Sequence, residues 1–149
     1  MQTHLILHNI RSAYNVGSAF RTADGAGVEM IHLCGYTPKP PHAKLAKTAL
    51  GATLFVDWEA HKTTEEAIDK LKKEGFTIYA VENAIPNKRV NYKTENYPDK
   101  SAFIFGNEIE GISEQILLKC DKIIEIPMRG KKNSLNVATT IGIILFEAT

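Results

Sequence analysis

Apolar residues in this 149-residue chain fall into short runs, and the stretches between them carry helical spacing. Leu5-Ile6-Leu7, Met30 to Leu33, Leu54 to Trp58, Thr77 to Val81, Ala102 to Phe105 and Ile123 to Ile126 are rich in β-branched or bulky side chains. They predict six strands. Val16, Ala19, Phe20 and Ala23 recur at i, i+3, i+4 and i+7, which predicts a helix with one buried face. Thr63 with Glu66 forms a capping box, Ala67, Ile68 and Leu71 form the stripe, and Gly75 is a helix stop. A shorter helix fits Glu114 to Lys119, and a last one begins after Ser134 and buries Val137, Ile141, Ile144 and Leu145. Strands alternating with helices and no long linker predict an α/β domain, with a mostly parallel six-stranded sheet and helices on both faces.

The longest apolar run near the C-terminus, Ile143 to Phe146, is far too short to span a membrane. Cys34 and Cys120 are two distant thiols, which argues against a disulfide scaffold or a four-ligand zinc site. Met1-Gln2-Thr3-His4 has no basic secretory leader, so a cytoplasmic protein is expected. His4 and His8 share a strand face and are read as edging the core, so no metal is expected.

The net charge of +1 is uninformative, but its distribution is not. Residues 1–23, 30–56, 83–94 and 126–146 contain no acidic residue and hold eleven of the eighteen basic ones. If these stretches converge, they form a positive face able to hold a polyanion; scattered, they are ordinary solvated charges.

Three clusters follow predicted strands, where ligands bind in parallel sheets. In the first, Asn15, Gly17 and Arg21 sit at the start of a helix, with Asn15 as a cap or ligand contact. Gly17, Ser18 and Arg21 lie opposite the apolar stripe, an open helix start suited to phosphate or simply to solvent. In the second, Gly106 and Gly111 have the separation of a phosphate-binding loop. Ile112 replaces its lysine, and Glu108 and Glu110 would repel a triphosphate, so a neutral or cationic ligand, or a plain turn, fits better. The third runs from Ile126 through Arg129, Lys131 and Lys132 to Ser134, a candidate N-cap, and Asn136, a poor helix former one position into the last helix.

Asn15-x-Gly17-x-x-x-Arg21, Gly106-x-Glu108-x-x-Gly111-Ile112-Ser113 and Ile126-Pro127-Met128-x-Gly130-x-x-x-Ser134-Leu135-Asn136-Val137 occur in this order. Together they resemble the SpoU (TrmH-type) RNA ribose 2′-O-methyltransferases of the SPOUT superfamily. The resemblance implies a deep trefoil knot in the C-terminal half, which periodicity alone would never suggest, because knots are essentially absent from proteins. It also implies S-adenosylmethionine as cofactor, tRNA or rRNA as substrate, and a homodimer.

By motif position, Gly106, Ile126, Ser134 and Leu135, with Val81 at the end of the preceding strand, are expected to bind the cofactor. Arg21 is implied as the catalytic arginine, supported by Asn15, Glu108 and Asn136. A guanidinium is permanently charged and a poor proton acceptor, so Arg21 is expected to hold phosphate and stabilise charge developing on the 2′-oxygen. Arg11, Lys44, Lys47, Lys88, Arg89, Arg129, Lys131 and Lys132 are the expected RNA contacts. Lys88 and Arg89 are placed in a polar loop between strands. Ala138 and Gly142 are four apart on the last helix and are expected to serve the dimer. Residues 1–149 are expected to form a single methyltransferase domain without a separate RNA-binding domain. Two other readings remain: an RNA-binding module of the same fold without catalysis, and a small-molecule α/β enzyme.

Overall fold

A computed structural model describes residues 1–83 and 89–149. Its elements run β1 (Gln2–His8), α1 (Ala13–Ala26), β2 (Met30–Cys34), α2 (Ala43–Ala49), a 3₁₀ turn (Ala52–Leu54), β3 (Asp57–His61), α3 (Thr64–Lys73), β4 (Thr77–Val81), β5 (Arg89–Asn91), β6 (Lys100–Phe105), α4 (Glu114–Lys119), β7 (Lys122–Glu125) and α5 (Val137–Ala148). Among the described residues the strands form one sheet in the order β3-β2-β1-β6-β4-β7-β5, and every pairing is parallel.

The sheet has seven strands, not six. The added strand is β5, whose three half-buried residues pair with Ile123, Ile124 and Glu125 of β7. Arg89 and Asn91 flank a single apolar residue, Val90, so the segment lacks the apolar run of a buried strand. The third strand lies at Asp57–His61 rather than at Leu54 to Trp58, because the 3₁₀ turn takes Ala52–Leu54 and leaves Leu54 and Phe55 exposed.

Leu5, Ile6 and Leu7 are fully buried in succession, as a strand covered on both faces requires. One face packs Leu5 and Leu7 with Val16, Ala19, Phe20 and Ala23 of α1 and Ile141, Ile144 and Leu145 of α5. The other packs Ile6 with Ala67, Ile68 and Leu71 of α3 and Ile116 and Leu117 of α4. Thr63 accepts the Glu66 N–H as the α3 cap, and Gly75 turns the chain at φ 89°. At Gly17 a Cβ would overlap Thr48 Oγ1 and the Leu45 carbonyl, so α1 and α2 touch there through backbone. Gly17 itself is therefore covered by α2, whereas Ser18 and Arg21 keep access to solvent.

His4, His8 and His32 all lie on the α3 face of the sheet, and each is held below the ordinary imidazole value, chiefly by burial. His32 is pushed to about 3, with His4, His61 and Lys70 adding to burial and Glu59 opposing it. Glu29 faces His4, while Glu65 and Glu110 act on His8, and none of these outweighs burial. The unfolded chain takes up protons at these sites below about pH 6.5 and the native chain only at lower pH, so stability falls as pH drops below that value. Exclusion of the proton from His32 alone should cost about 1 kcal/mol between roughly pH 7.5 and 5.5. Urea unfolding in chelator-treated buffer should show this loss, whereas equal stability at the two values would contradict the buried neutral imidazoles.

Candidate active site

In an all-parallel sheet, every strand delivers its following loop to the same end. The loops after β4, β6 and β7 meet there around a cavity of about 530 Å³. Its wall takes Val81 to Asn83 from β4, Phe105 to Ile112 from β6, Ile126 and Met128 from β7, and residues 133–137 with Thr140 from the start of α5. Val81, Gly106, Ile126, Ser134 and Leu135, the five expected cofactor residues, all line it, as do Glu108 and Asn136. Ile109 and Leu135 are 77% and 40% exposed and offer apolar surface at the cavity wall.

The β6 loop is built by hydrogen bonds that the motif alone does not reveal. Asn107 is buried; its Oδ1 accepts the Ile109 and Glu110 N–H groups, and its Nδ2 donates to the Asn9 carbonyl and to Tyr36 Oη. Glu82 accepts the Ile112 N–H through Oε2 and its neighbour's N–H, that of Asn83, through Oε1. Asn83 Nδ2 reaches the Asn133 carbonyl, tying the β4 loop to the segment before α5. Gly106 is required by the loop itself: a Cβ there would lie 2.5 Å from the Gly111 carbonyl carbon and 2.6 Å from Ile112 Cγ1. Gly111 has φ 68°, and a Cβ would meet Glu82 Oε2. Asn107, Glu82 and Asn83 escaped the sequence reading; a short polar residue directly after a strand is the signal that points to such a turn.

Glu108 reaches across to the start of α1. It accepts the Arg11 and Ser12 N–H groups, each at 2.9 Å, and the Asn15 Nδ2 at 3.1 Å. Burial raises the Glu108 pKa, but these donors outweigh it and hold the carboxyl below its ordinary value. α1 has no acidic residue in its first turn, so Glu108 supplies negative charge next to the positive helix end. The phosphate expected at this helix start is thus replaced by a carboxylate of the protein itself.

Two caps differ from expectation. Ser12 Oγ, not Asn15, caps α1, and Asn15 spends its side chain on Glu108. Asn136, not Ser134, caps α5 by accepting the Ala138 N–H at 2.9 Å, which gives Asn136 a structural reason to be there.

Arg21 is exposed on α1 and does not line the cavity. It lies in a shallower groove with Ser18, Thr22, Gly25, Lys47, Thr48, Leu50 and Phe146. At 1.5 Å per residue it stands about 9 Å along the helix from Asn15. Arg11, Lys44, Lys47, Arg129, Lys131 and Lys132 are exposed. Arg89 is not in a loop but on β5, where it pairs with Glu125 at 2.9 Å and donates to the Asn83 carbonyl. Lys88 lies outside the described residues.

Comparison with known proteins gives a consistent picture. The model of the SpoU rRNA Methylase family matches residues 2–146. The tRNA (guanosine(18)-2′-O)-methyltransferase of Thermus thermophilus is 34% identical over 97% of this chain and 72% of its own length. The enzyme of the same description from Escherichia coli is 30% identical over 95% of this chain, which spans 60% of it. Among solved structures, the AdoMet-bound rRNA methyltransferase from Sinorhizobium meliloti superposes with a TM-score of 0.91 at 29% identity. That match covers 99% of this chain and 55% of the other.

Removing the Glu108 carboxylate should free the backbone it holds. Glu108→Ala should speed amide hydrogen exchange at Arg11 and Ser12 at least about tenfold while leaving α5 protected, with a global loss of about 1 kcal/mol. Unchanged exchange at both amides would show that Glu108 does not hold this junction.

Proposed function

Because the chain belongs to the SpoU rRNA Methylase family, we propose that it transfers the methyl group of S-adenosylmethionine to a ribose 2′-hydroxyl of structured RNA, tRNA or rRNA. The observation that carries this reading is one cavity lined by all five residues that motif position assigns to the cofactor. Its size suits a ligand of nucleoside dimensions. Its wall combines apolar Val81, Ile126 and Leu135 with polar Glu82, Asn83, Ser134 and Thr140, a donor and acceptor set suited to an adenosine and an amino acid. Glu108 and Glu110 at the wall favour a ligand that carries positive charge. When bound, the cofactor supplies an electrophilic methyl group.

The chain's own residues then position and stabilise. Glu108 and Asn15 act as positioning residues that lock the start of α1 to the cofactor loop, and Asn136 fixes the start of α5. Arg21 holds the phosphate next to the target ribose, its planar donors matching phosphate geometry. It stabilises negative charge as the 2′-oxygen gives its proton to phosphate or water and bonds the methyl carbon, whose bond to sulfur breaks. Lys47 in the same groove, with exposed Arg11, Lys44, Arg129, Lys131 and Lys132, supplies RNA affinity. Arg89 shapes the edge of the sheet through Glu125 instead. The strand order β6-β4-β7-β5, with α5 returning to pack on α1, is compatible with a deep trefoil knot in the C-terminal half.

The protein acts as a homodimer in the cytoplasm, with residues 1–149 as one methyltransferase domain. Leu50 and Phe146, 65% and 61% exposed beside the Arg21 groove, support an apolar partner surface. Among the described residues a Cβ on Gly142 would find only Thr22 Cγ2, at 3.9 Å, and this open space supports close approach of a partner helix.

Arg21→Ala tests the assignment. Stability should change by no more than about 0.5 kcal/mol, as at ordinary exposed sites, and calorimetry should find S-adenosylmethionine affinity unchanged. Methylation at saturating cofactor and RNA should fall by at least ~10²-fold. A variant that methylates at the parent rate would remove Arg21 from the reaction.

A further inference from the structure

The wing of the sheet away from the cavity carries a second constellation. β1, β2 and β3 pair in register so that His4, His32, Glu59 and His61 share the face covered by α3. His4 Nδ1 lies 3.0 Å from His32 Nε2, and His32 Nδ1 lies 3.0 Å from His61 Nε2. Glu59 Oε1 stands 3.2 Å from His32 Nδ1 and 3.1 Å from His61 Nε2. His32, Glu59 and His61 thus present three ligand atoms at the corners of a nearly equilateral triangle. His32 is buried, while His61 and Glu59 are partly open to solvent.

Protons cannot satisfy this triangle. Each imidazole nitrogen carries at most one hydrogen and an ionised carboxylate carries none, so two protons at most serve three edges. One edge always sets lone pair against lone pair or leaves two N–H groups crowded. A cation above the triangle satisfies all three edges at once. With edges of 3.0 to 3.2 Å, a point about 1 Å out of the plane lies about 2.0–2.1 Å from every corner, the bond length of zinc to nitrogen and oxygen. We propose that His32 Nδ1, His61 Nε2 and Glu59 Oε1 form a binding site for a divalent transition-metal ion of the zinc class. His4 is its positioning residue.

The surroundings support the assignment. The 3.0 Å contact with His4 Nδ1 is compatible with the His32 tautomer that donates Nε2–H to His4 and leaves Nδ1 free to bind, and Glu29 lies 3.8 Å beyond His4. Lys70 Nζ, 2.6 Å from Glu59 Oε1 and itself exposed, is the positive charge that a metal ion would displace. Two imidazoles are borderline donors, and with one carboxylate they suit zinc and its neighbours rather than calcium or magnesium, which take oxygen ligands. The fourth position opens toward solvent on the Glu59 side and takes water. Bound there, the ion ties edge strand β3 to β2 and stabilises the fold by mass action. Neither His4 nor His8 reveals this in the sequence, because the ligands come from two strands 25 or more residues apart.

Zinc and cobalt added to chelator-treated protein provide the test. The parent should bind one equivalent at micromolar concentration, raise its Tm, and give cobalt the visible absorption of a tetrahedral site. Glu59→Gln and His61→Ala, both at partly exposed edge positions, should each weaken binding at least tenfold and lose the Tm rise. His4→Phe should weaken it about 10- to 100-fold. Lys70→Met, which removes the competing ammonium without touching a ligand, should bind more tightly than the parent. Absence of stoichiometric zinc in both the parent and Lys70→Met would overturn the proposal. So would parent-like binding by both Glu59→Gln and His61→Ala.

Discussion

The site depends on one carboxylate. β1 and β6 are neighbours in the sheet, yet the loops that follow them lead to different parts of the chain, opening a crevice between their ends. Glu108 closes that crevice by accepting two backbone N–H groups and one amide from residues 11, 12 and 15, more than ninety positions away. A charged acceptor with three donors is among the stronger hydrogen-bonding arrangements available to a protein. It fixes the start of α1, and therefore the direction in which Arg21 is presented, relative to the cavity loops. Asn107 Nδ2, donating to the Asn9 carbonyl, ties the same two loops together a few residues away.

Around this junction, the loops are rigid for local reasons. Asn107, Glu82 and Asn83 satisfy the backbone of turns that would otherwise leave N–H groups unpaired. Gly106 and Gly111 are glycines because neighbouring backbone and the Glu82 side chain occupy the space of a Cβ. The polar residues of the β6 loop thus serve architecture first, and the cavity is what their arrangement leaves open. The same economy holds at the start of α5, where Asn136 both caps the helix and lines the cavity.

Much of this was legible in the sequence wherever a periodic pattern or a cap determined it. Thr63 and Glu66 announced α3, the stripe of Val16, Ala19, Phe20 and Ala23 announced the buried face of α1, and Thr77–Val81 matched β4 end to end. β5 was not legible, because Arg89-Val90-Asn91 owes its conformation to backbone pairing with β7 rather than to its own apolar pattern. The covering of Gly17 by α2 was hidden for a related reason: it depends on a helix, Ala43–Ala49, that the sequence reading did not identify. The five residues that motif position assigns to the cofactor line one cavity, whereas the cap at Asn136 and the acceptor role of Glu108 needed the distances. Long-range side-chain contacts leave no local periodicity, and these are the features that sequence pattern misses.

The central claim is that this fold moves a methyl group onto the sugar of RNA. Incubating the protein with S-adenosylmethionine labelled in its methyl group and total cellular RNA, then digesting the RNA to nucleosides, tests it directly. The account predicts label in a 2′-O-methylated nucleoside. Label on a base, or label only in small molecules, would contradict it.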